Sequence, residues 1–353
     1  MWKGAEVAYI HSPVWTDLRE IVALRGCDDE GVSVGSEMAA SQIRLNPETI
    51  AVIGHATSGT TRSAAAIYAS ANIPVLMPIA TSPNVFFDPS SGDRLQNLFR
   101  LPPSDDRAQA PAVAYTAINI LKSRRIYLVR DISEDAPEYS GPLFKRIQQL
   151  IGSNKIDDIE VNRKTPSIHE VAQNVFDQDA DLVIFVGYGT TANVILSDIQ
   201  VEYSRFKRKP PPILLTDGCK IVDLNVGSLL VYVTFPVPDS HKLPCDTEDM
   251  AIFNEQVPQP KSYELYGYDA MVILGKALNS CLRTSSLSRE CVQNALSGGS
   301  PLEGACLTYS FSAGDNSRSS IYLYRARASG PDSADYEQIR VVTPDDWHLL
   351  KGQ

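Results

Sequence analysis

Two short turns rich in hydroxyl groups, Thr57-Ser58-Gly59-Thr60-Thr61 and Thr81-Ser82-Pro83, carry the most legible chemistry in this chain. Hydroxyls and unpaired backbone N–H groups donate hydrogen bonds without bringing charge, and together they suit a carboxylate. Each turn also has a plain structural use: Ser58 or Thr60 can cap the helix that follows, and Thr81 can end a strand. Covalent catalysis finds little support. Ser58 follows a strand, but no histidine and acid stand in a recognisable order around it. The chain has no G-x-S-x-G elbow, no P-loop and no G-x-G-x-x-G fingerprint. The five histidines (His11, His55, His169, His241, His348) are scattered, and no cysteine pair has C-x-x-C spacing. Neither a metal site nor a cofactor is expected.

The elements that must position these turns follow from the apolar pattern. Residues 50–53 are an apolar run of the kind a buried parallel strand uses, and Gly54 breaks it. Residues 62–71 are rich in alanine and read as a helix; Val75 and Leu76 resume a strand. In an open parallel sheet, strand C-termini and helix N-termini line one crevice, with positive dipole ends facing it. Two such turns side by side therefore make a seat for an anion. Further buried strands are read at 181–188 and 213–218.

Composition bounds the rest. The chain has 353 residues, 43% hydrophobic and 21% charged, enough for a large core and for two domains. A net charge of −10 and a pI near 5.1 argue against nucleic acid as a partner. The one basic cluster, residues 205–209, precedes Pro210-Pro211-Pro212 and reads as a solvated loop. No apolar run approaches the ~18 residues of a membrane span.

Residues 50–83 closely resemble the Leu/Ile/Val-binding family of periplasmic substrate-binding proteins. There a VIG(H)xxSxxT turn and a P-x-A-T-x-P turn hold the ligand's α-carboxylate. The matching residues here are Gly54, His55, Ser58 and Thr61, then Pro78, Ala80, Thr81 and Pro83. The resemblance extends along nearly the whole chain. Phe99-Arg100 resembles the approach to the first crossover, and Tyr139-Ser140-Gly141 the family's Y-G-x-x-L turn. Residues 125–131 resemble the first strand of its second lobe, residues 263–278 the helix after the return crossover, and residues 304–311 and 321–325 its closing pattern.

The resemblance implies an α/β protein of two doubly wound, Rossmann-like lobes joined by three crossovers, the type I periplasmic binding protein fold. Lobe one takes residues 1–104 and 238–307; lobe two takes 105–237 and 308–353. The crossovers fall near Pro102-Pro103-Ser104, Pro236-Val237-Pro238 and Thr308. On lobe one, Ser58, Thr60, Ala80 and Thr81 are expected to hold the carboxylate. On lobe two, Asp217 is expected to take the ammonium, with Tyr139 closing over the ligand and Tyr188 near the second aromatic. A tyrosine face attracts a cation by about 0.5–2 kcal/mol. Gly189, Thr190 and Thr191 depart from the bulkier residues that amino-acid binders often carry there.

The implied function is capture of a small amino-acid-like ligand, a carboxylate or an amide, by hinge closure, without enzymatic activity. The partner is the membrane permease of an ABC transporter. The competing reading is a ligand sensor of the same fold that signals to a receptor partner. The implied location is periplasmic or extracellular, although the chain as given carries no signal peptide. Residues 4–8 resemble the family's first helix, so the first strand of lobe one and its ligand loop are expected to be missing; a fragment is the favoured explanation, the other being that a different element fills the slot. Of the six cysteines, Cys281 with Cys291 and Cys219 with Cys245 are candidate disulfides, with buried free thiols the alternative for each pair.

Overall fold

The computed structural model describes residues 1–134, 136–260, 262–284, 287–316, 320–330 and 333–348, and the backbone alone of Ile221. The chain forms two compact units, Met1–Ser104 with Asp239–Arg318, and Asp105–Pro238 with Ser319–Gln353.

In chain order, unit 1 begins with α1 (Trp2–His11), α2 (Ser33–Leu45), β1 (Val52–Ile53), α3 (Ser58–Ala69), β2 (Val75–Met77) and β3 (Leu98–Arg100). Unit 2 follows with α4 (Ala110–Tyr115), β4 (Ile126–Asp131), α5 (Ala136–Ile151), β5 (Lys155–Val161) and α6 (Glu170–Asp177). It continues through β6 (Leu182–Val186), α7 (Gly189–Arg205), β7 (Ile213–Leu215) and β8 (Val231–Phe235). The chain returns to unit 1 for α8 (Glu248–Gln256), α9 (Glu264–Thr284), α10 (Arg289–Ser297), β9 (Leu302–Glu303), β10 (Thr308–Tyr309), β11 (Phe311–Ser312) and β12 (Asp315–Asn316). It ends in unit 2 with β13 (Ile321–Gly330), β14 (Ser333–Val342) and α11 (Pro344–Trp347).

The sheet of unit 1 has the order β1-β2-β3-β12-β11, parallel from β1 through β12. Register sets Val52 beside Val75 and Met77 beside Arg100, so the segments after β1 and β2 leave the same end of the sheet. β2 is buried throughout, as an inner parallel strand must be, whereas β1 is half-buried at the sheet edge. Small residues let helices approach closely: Ala40, Ala64 and Ala65 lie in the core with Tyr68, Met77 and Phe86. Between α1 and α9 the backbones nearly touch. A Cβ on Gly4 would stand 1.9 Å from the Glu264 carbonyl oxygen, and one on Gly267 2.3 Å from that of Met1.

The residues from Thr308 to Asn316 belong to unit 1, which corrects the expected boundary of lobe two at 308. Their strands carry no long apolar run. They are held by Asp315, which pairs with Arg100 in the parallel ladder and through its side chain. Gly314 (φ +81°) allows the approach, since a Cβ there would lie 1.9 Å from the Leu98 carbonyl oxygen. Residues 349–353, the end of the expected second lobe, lie outside the described residues.

Unit 2 is a seven-stranded sheet of order β14-β13-β8-β7-β6-β4-β5. Strands β5, β4, β6, β7 and β8 run parallel, and β13 and β14 add an antiparallel hairpin. β4 thus sits between the strands that follow it, the doubly wound arrangement with its crevice at the strand C-termini. Leu128, Ile184 and Leu214 from neighbouring strands meet Leu143 and Ile147 of α5 in one core.

Disulfides join Cys281 to Cys291 and Cys245 to Cys306, each pair within unit 1. Cys219 is a buried free thiol of unit 2, so the candidate Cys219–Cys245 pair does not form.

Candidate functional site

On unit 1 the two hydroxyl turns stand side by side. Thr57, in extended backbone, caps α3: its hydroxyl accepts from the Thr60 N–H at 3.1 Å, and the Thr60 hydroxyl in turn accepts from the Thr57 N–H at 3.1 Å. The helix therefore starts at Ser58, earlier than its alanine content alone indicates. Thr60 is buried and its hydroxyl is engaged within this cap. Thr61 is tied down in the same way, donating to the Thr57 carbonyl at 2.6 Å.

Ser58 instead faces the second turn, where its Oγ accepts from the Ser82 N–H at 3.3 Å. Arg100 fixes that turn from below: Nη1 donates to the carbonyls of Thr81 and Ser82 at 2.6 and 2.8 Å. Its Nε and Nη2 reach Asp315 Oδ1 at 2.8 and 2.7 Å. With its carbonyl pinned, Thr81 follows β2 in a fixed orientation, beside buried Ala80. The first N–H groups of α3 have no partner within the helix, and the dipole there favours an anion. His55, in the same loop, is held between Asp29 (Nδ1 to Oδ2, 2.6 Å) and the Tyr68 hydroxyl (3.1 Å from Nε2).

On unit 2 the functional groups gather where β4, β6 and β7 end. Asp217 follows β7 in a tight 3-10 turn and is only 2% exposed. Its Oδ1 accepts from Gln109 Nε2 at 2.7 Å and from the Tyr139 hydroxyl, while the Gly218 N–H donates to the Tyr139 oxygen at 3.2 Å. Tyr139 lies in the first turns of α5, which begins at Ala136, and is buried. Burial first, then the charge of Asp217, push its phenol well above the ordinary tyrosine range, so it stays a donor to that carboxylate. Its ring stacks on that of Tyr188, centroids 5.4 Å apart. Tyr188 is the more exposed of the two and immediately precedes α7. Asp131 steadies it, accepting from the Tyr188 N–H at 3.3 Å and the Ser133 N–H at 2.8 Å.

The glycines here are close-approach points. A Cβ on Gly218 would lie 2.7 Å from the Gly187 carbonyl oxygen and 2.9 Å from the Tyr139 ring. Within each unit the expected residues come together: Ser58, Thr60, Ala80 and Thr81 on one, Tyr139, Tyr188 and Asp217 on the other. Sequence reasoning missed Gln109, Ser82 and the bracing role of Arg100. Among the described residues, no group of three or more His, Cys, Asp or Glu side chains could hold a metal ion.

Two α/β units, each a largely parallel sheet with polar groups at its strand ends, define the type I periplasmic binding protein fold. The chain belongs to the periplasmic binding protein family, whose profile matches residues 20–331. In fold it is similar to a leucine-binding protein of Thermotoga maritima (20% identity, 98% of this chain and 94% of that one, TM-score 0.78). It is similar to the branched-chain amino acid transporter substrate-binding protein of Streptococcus pneumoniae in complex with isoleucine (16%, 97% and 94%, TM-score 0.77). It is also similar to an ABC transporter solute-binding protein of Rhodopseudomonas palustris in complex with 3,4-dihydroxybenzoic acid (12%, 97% and 92%, TM-score 0.72). No curated protein matches the chain in sequence. No helix among the described residues is long and apolar enough to cross a membrane.

Proposed function

We propose that this protein is an extracytoplasmic solute-binding protein that captures a small α-amino acid for an ABC transporter. The observation that carries this reading is the buried Asp217 carboxylate, held ready by Gln109 and Tyr139 beside the Tyr139–Tyr188 stack. A desolvated acid beside an aromatic face is a receptor for a cation. Unit 1 supplies the opposite chemistry: the N-terminus of α3 with Ser58 and Thr81 offers uncharged donors for a carboxylate.

Tyr139, bound to Asp217 and buried, serves as its strut, and the more exposed Tyr188 ring presents the face to the ligand. Residues 189–191 begin α7 with small side chains, and Gly189 packs closely on Cys219 and Val222. Branched-chain amino acids are the default ligands, in keeping with the leucine and isoleucine named for the structural relatives. The two disulfides favour an oxidising location outside the cytoplasm.

A thermal-shift screen of refolded protein against amino acids, amides and aromatic acids tests the reading. Ligand at a hundred times its Kd adds about 2.7 kcal/mol of stability. A shift with aliphatic amino acids is expected; a shift confined to aromatic acids would contradict it.

A further inference from the structure

We propose that Gln109 reads the ligand directly, its Oε1 accepting one N–H of the ammonium that Asp217 holds; this rests on the amino-acid reading above. Gln109 comes from a π-helical turn (Asp105–Gln109) that opens α4, and it is 1% exposed. Its Nε2 donates to Asp217 Oδ1 at 2.7 Å. A carboxylate oxygen accepts and never donates, so this bond fixes which way round the amide stands. The amide oxygen then lies on the other arm of the same amide, beside the nitrogen that touches Asp217, buried, and no described residue donates to it. Native proteins rarely leave a buried carbonyl oxygen so.

The group that completes this arrangement must offer N–H donors to two acceptors at once, one charged and one neutral. A primary ammonium, with three N–H bonds, does so. A tertiary ammonium has one N–H and can serve only one of the two, and a carboxylic acid lacking the amine serves neither. Gln109 therefore makes the site selective for a primary amine, a discrimination that Asp217 alone, as a point charge, would make less sharply.

The test is a cycle of titration calorimetry with L-leucine, N,N-dimethyl-L-leucine and 4-methylpentanoate, on wild type and Gln109→Met. Wild type is expected to prefer leucine over its dimethyl derivative, and Gln109→Met is expected to shrink that preference by about tenfold. Equal weakening of leucine and dimethylleucine in the variant would overturn the proposal, leaving Gln109 a support for Asp217 with water on its oxygen. Wild type that binds 4-methylpentanoate as tightly as leucine, or binds neither, overturns the amino-acid reading and this proposal with it. Should Gln109→Met fail to fold, the side-chain carbonyl carbon of Gln109 in wild type provides the readout by NMR. Its resonance is expected to move downfield with leucine and not with dimethylleucine; the same shift with both would overturn the assignment.

Discussion

Arg100 Nη1 stands 2.6 Å from the carbonyl oxygen of Thr81, so a buried guanidinium in β3 sets the turn that ends β2. The same side chain neutralises Asp315, which brings the late strand β12 into the sheet. One residue thus couples the proposed carboxylate seat to the closure of unit 1.

Replacing Arg100 is therefore expected to damage both. Arg100→Met takes the guanidinium away from the buried Asp315 carboxylate, a loss of about 3–5 kcal/mol in unfolding stability. Arg100→Lys keeps a charge but not the fork that serves Asp315, Thr81 and Ser82 together, so an intermediate loss is expected. Urea unfolding followed by circular dichroism measures the order wild type, Lys, Met; a Met variant as stable as wild type would show that Asp315 does not depend on this pair.

Tyr139→Phe keeps the stacked ring and removes one donor to Asp217 and the acceptor for the Gly218 N–H. A loss of about 1–3 kcal/mol in stability is expected from the unsatisfied groups. Leucine affinity should fall about tenfold, because the carboxylate is less firmly aimed. Calorimetry on the folded variant checks this; unchanged affinity would make the hydroxyl structural only.

Gly314→Ala forces a left-handed backbone onto a residue with a Cβ, which would stand 1.9 Å from the Leu98 carbonyl oxygen. The variant is expected to lose at least about 1–3 kcal/mol. The loss should appear in the unfolding of unit 1, reported by fluorescence of its buried Trp15.

The acid limb of stability should involve Asp29. Its hydrogen bond from His55 holds the carboxyl below the ordinary 3.8, against the opposing effect of partial burial. A carboxylate with a depressed folded pKa contributes stability that is complete above the unfolded value and is lost as pH falls through the folded one. Wild type should therefore exceed Asp29→Asn in stability at neutral pH, and the gap should narrow as pH falls below about 4. Denaturation at several pH values measures it; a gap that stays constant down the acid limb would assign the effect to shape, not charge.

Much of the fold was legible because its strands are apolar runs of β-branched residues that end in glycine or hydroxyl turns. Residues 125–131, 181–188 and 213–218 contain β4, β6 and β7 almost unchanged. The pair of hydroxyl turns was legible too, but not the choice between capping and binding: Ser58 and Thr60 were both expected to hold a carboxylate, whereas the Thr60 hydroxyl is engaged in the cap and Ser58 faces the second turn. What escaped was whatever depends on distant pairing. β10, β11 and β12 are two residues each, too short for any periodicity, and Asp315 finds Arg100 across 215 residues. Gln109 meets Asp217 across 108 residues, and a lone glutamine at a helix start gives no sign of its burial. The cysteine pairing escaped for the same reason: only the short-range pair, Cys281 with Cys291, had a local signal.

The central claim is that a buried acid on unit 2 selects the amine of an amino acid. Calorimetric titration of wild type and Asp217→Asn with L-leucine and 4-methylpentanoate tests it most directly. Asparagine keeps the shape and removes the charge. The account predicts that leucine binding weakens by about 2–5 kcal/mol, roughly 30-fold or more in Kd, while the acid without the amine is bound no worse than before. Leucine affinity unchanged by Asp217→Asn would contradict it.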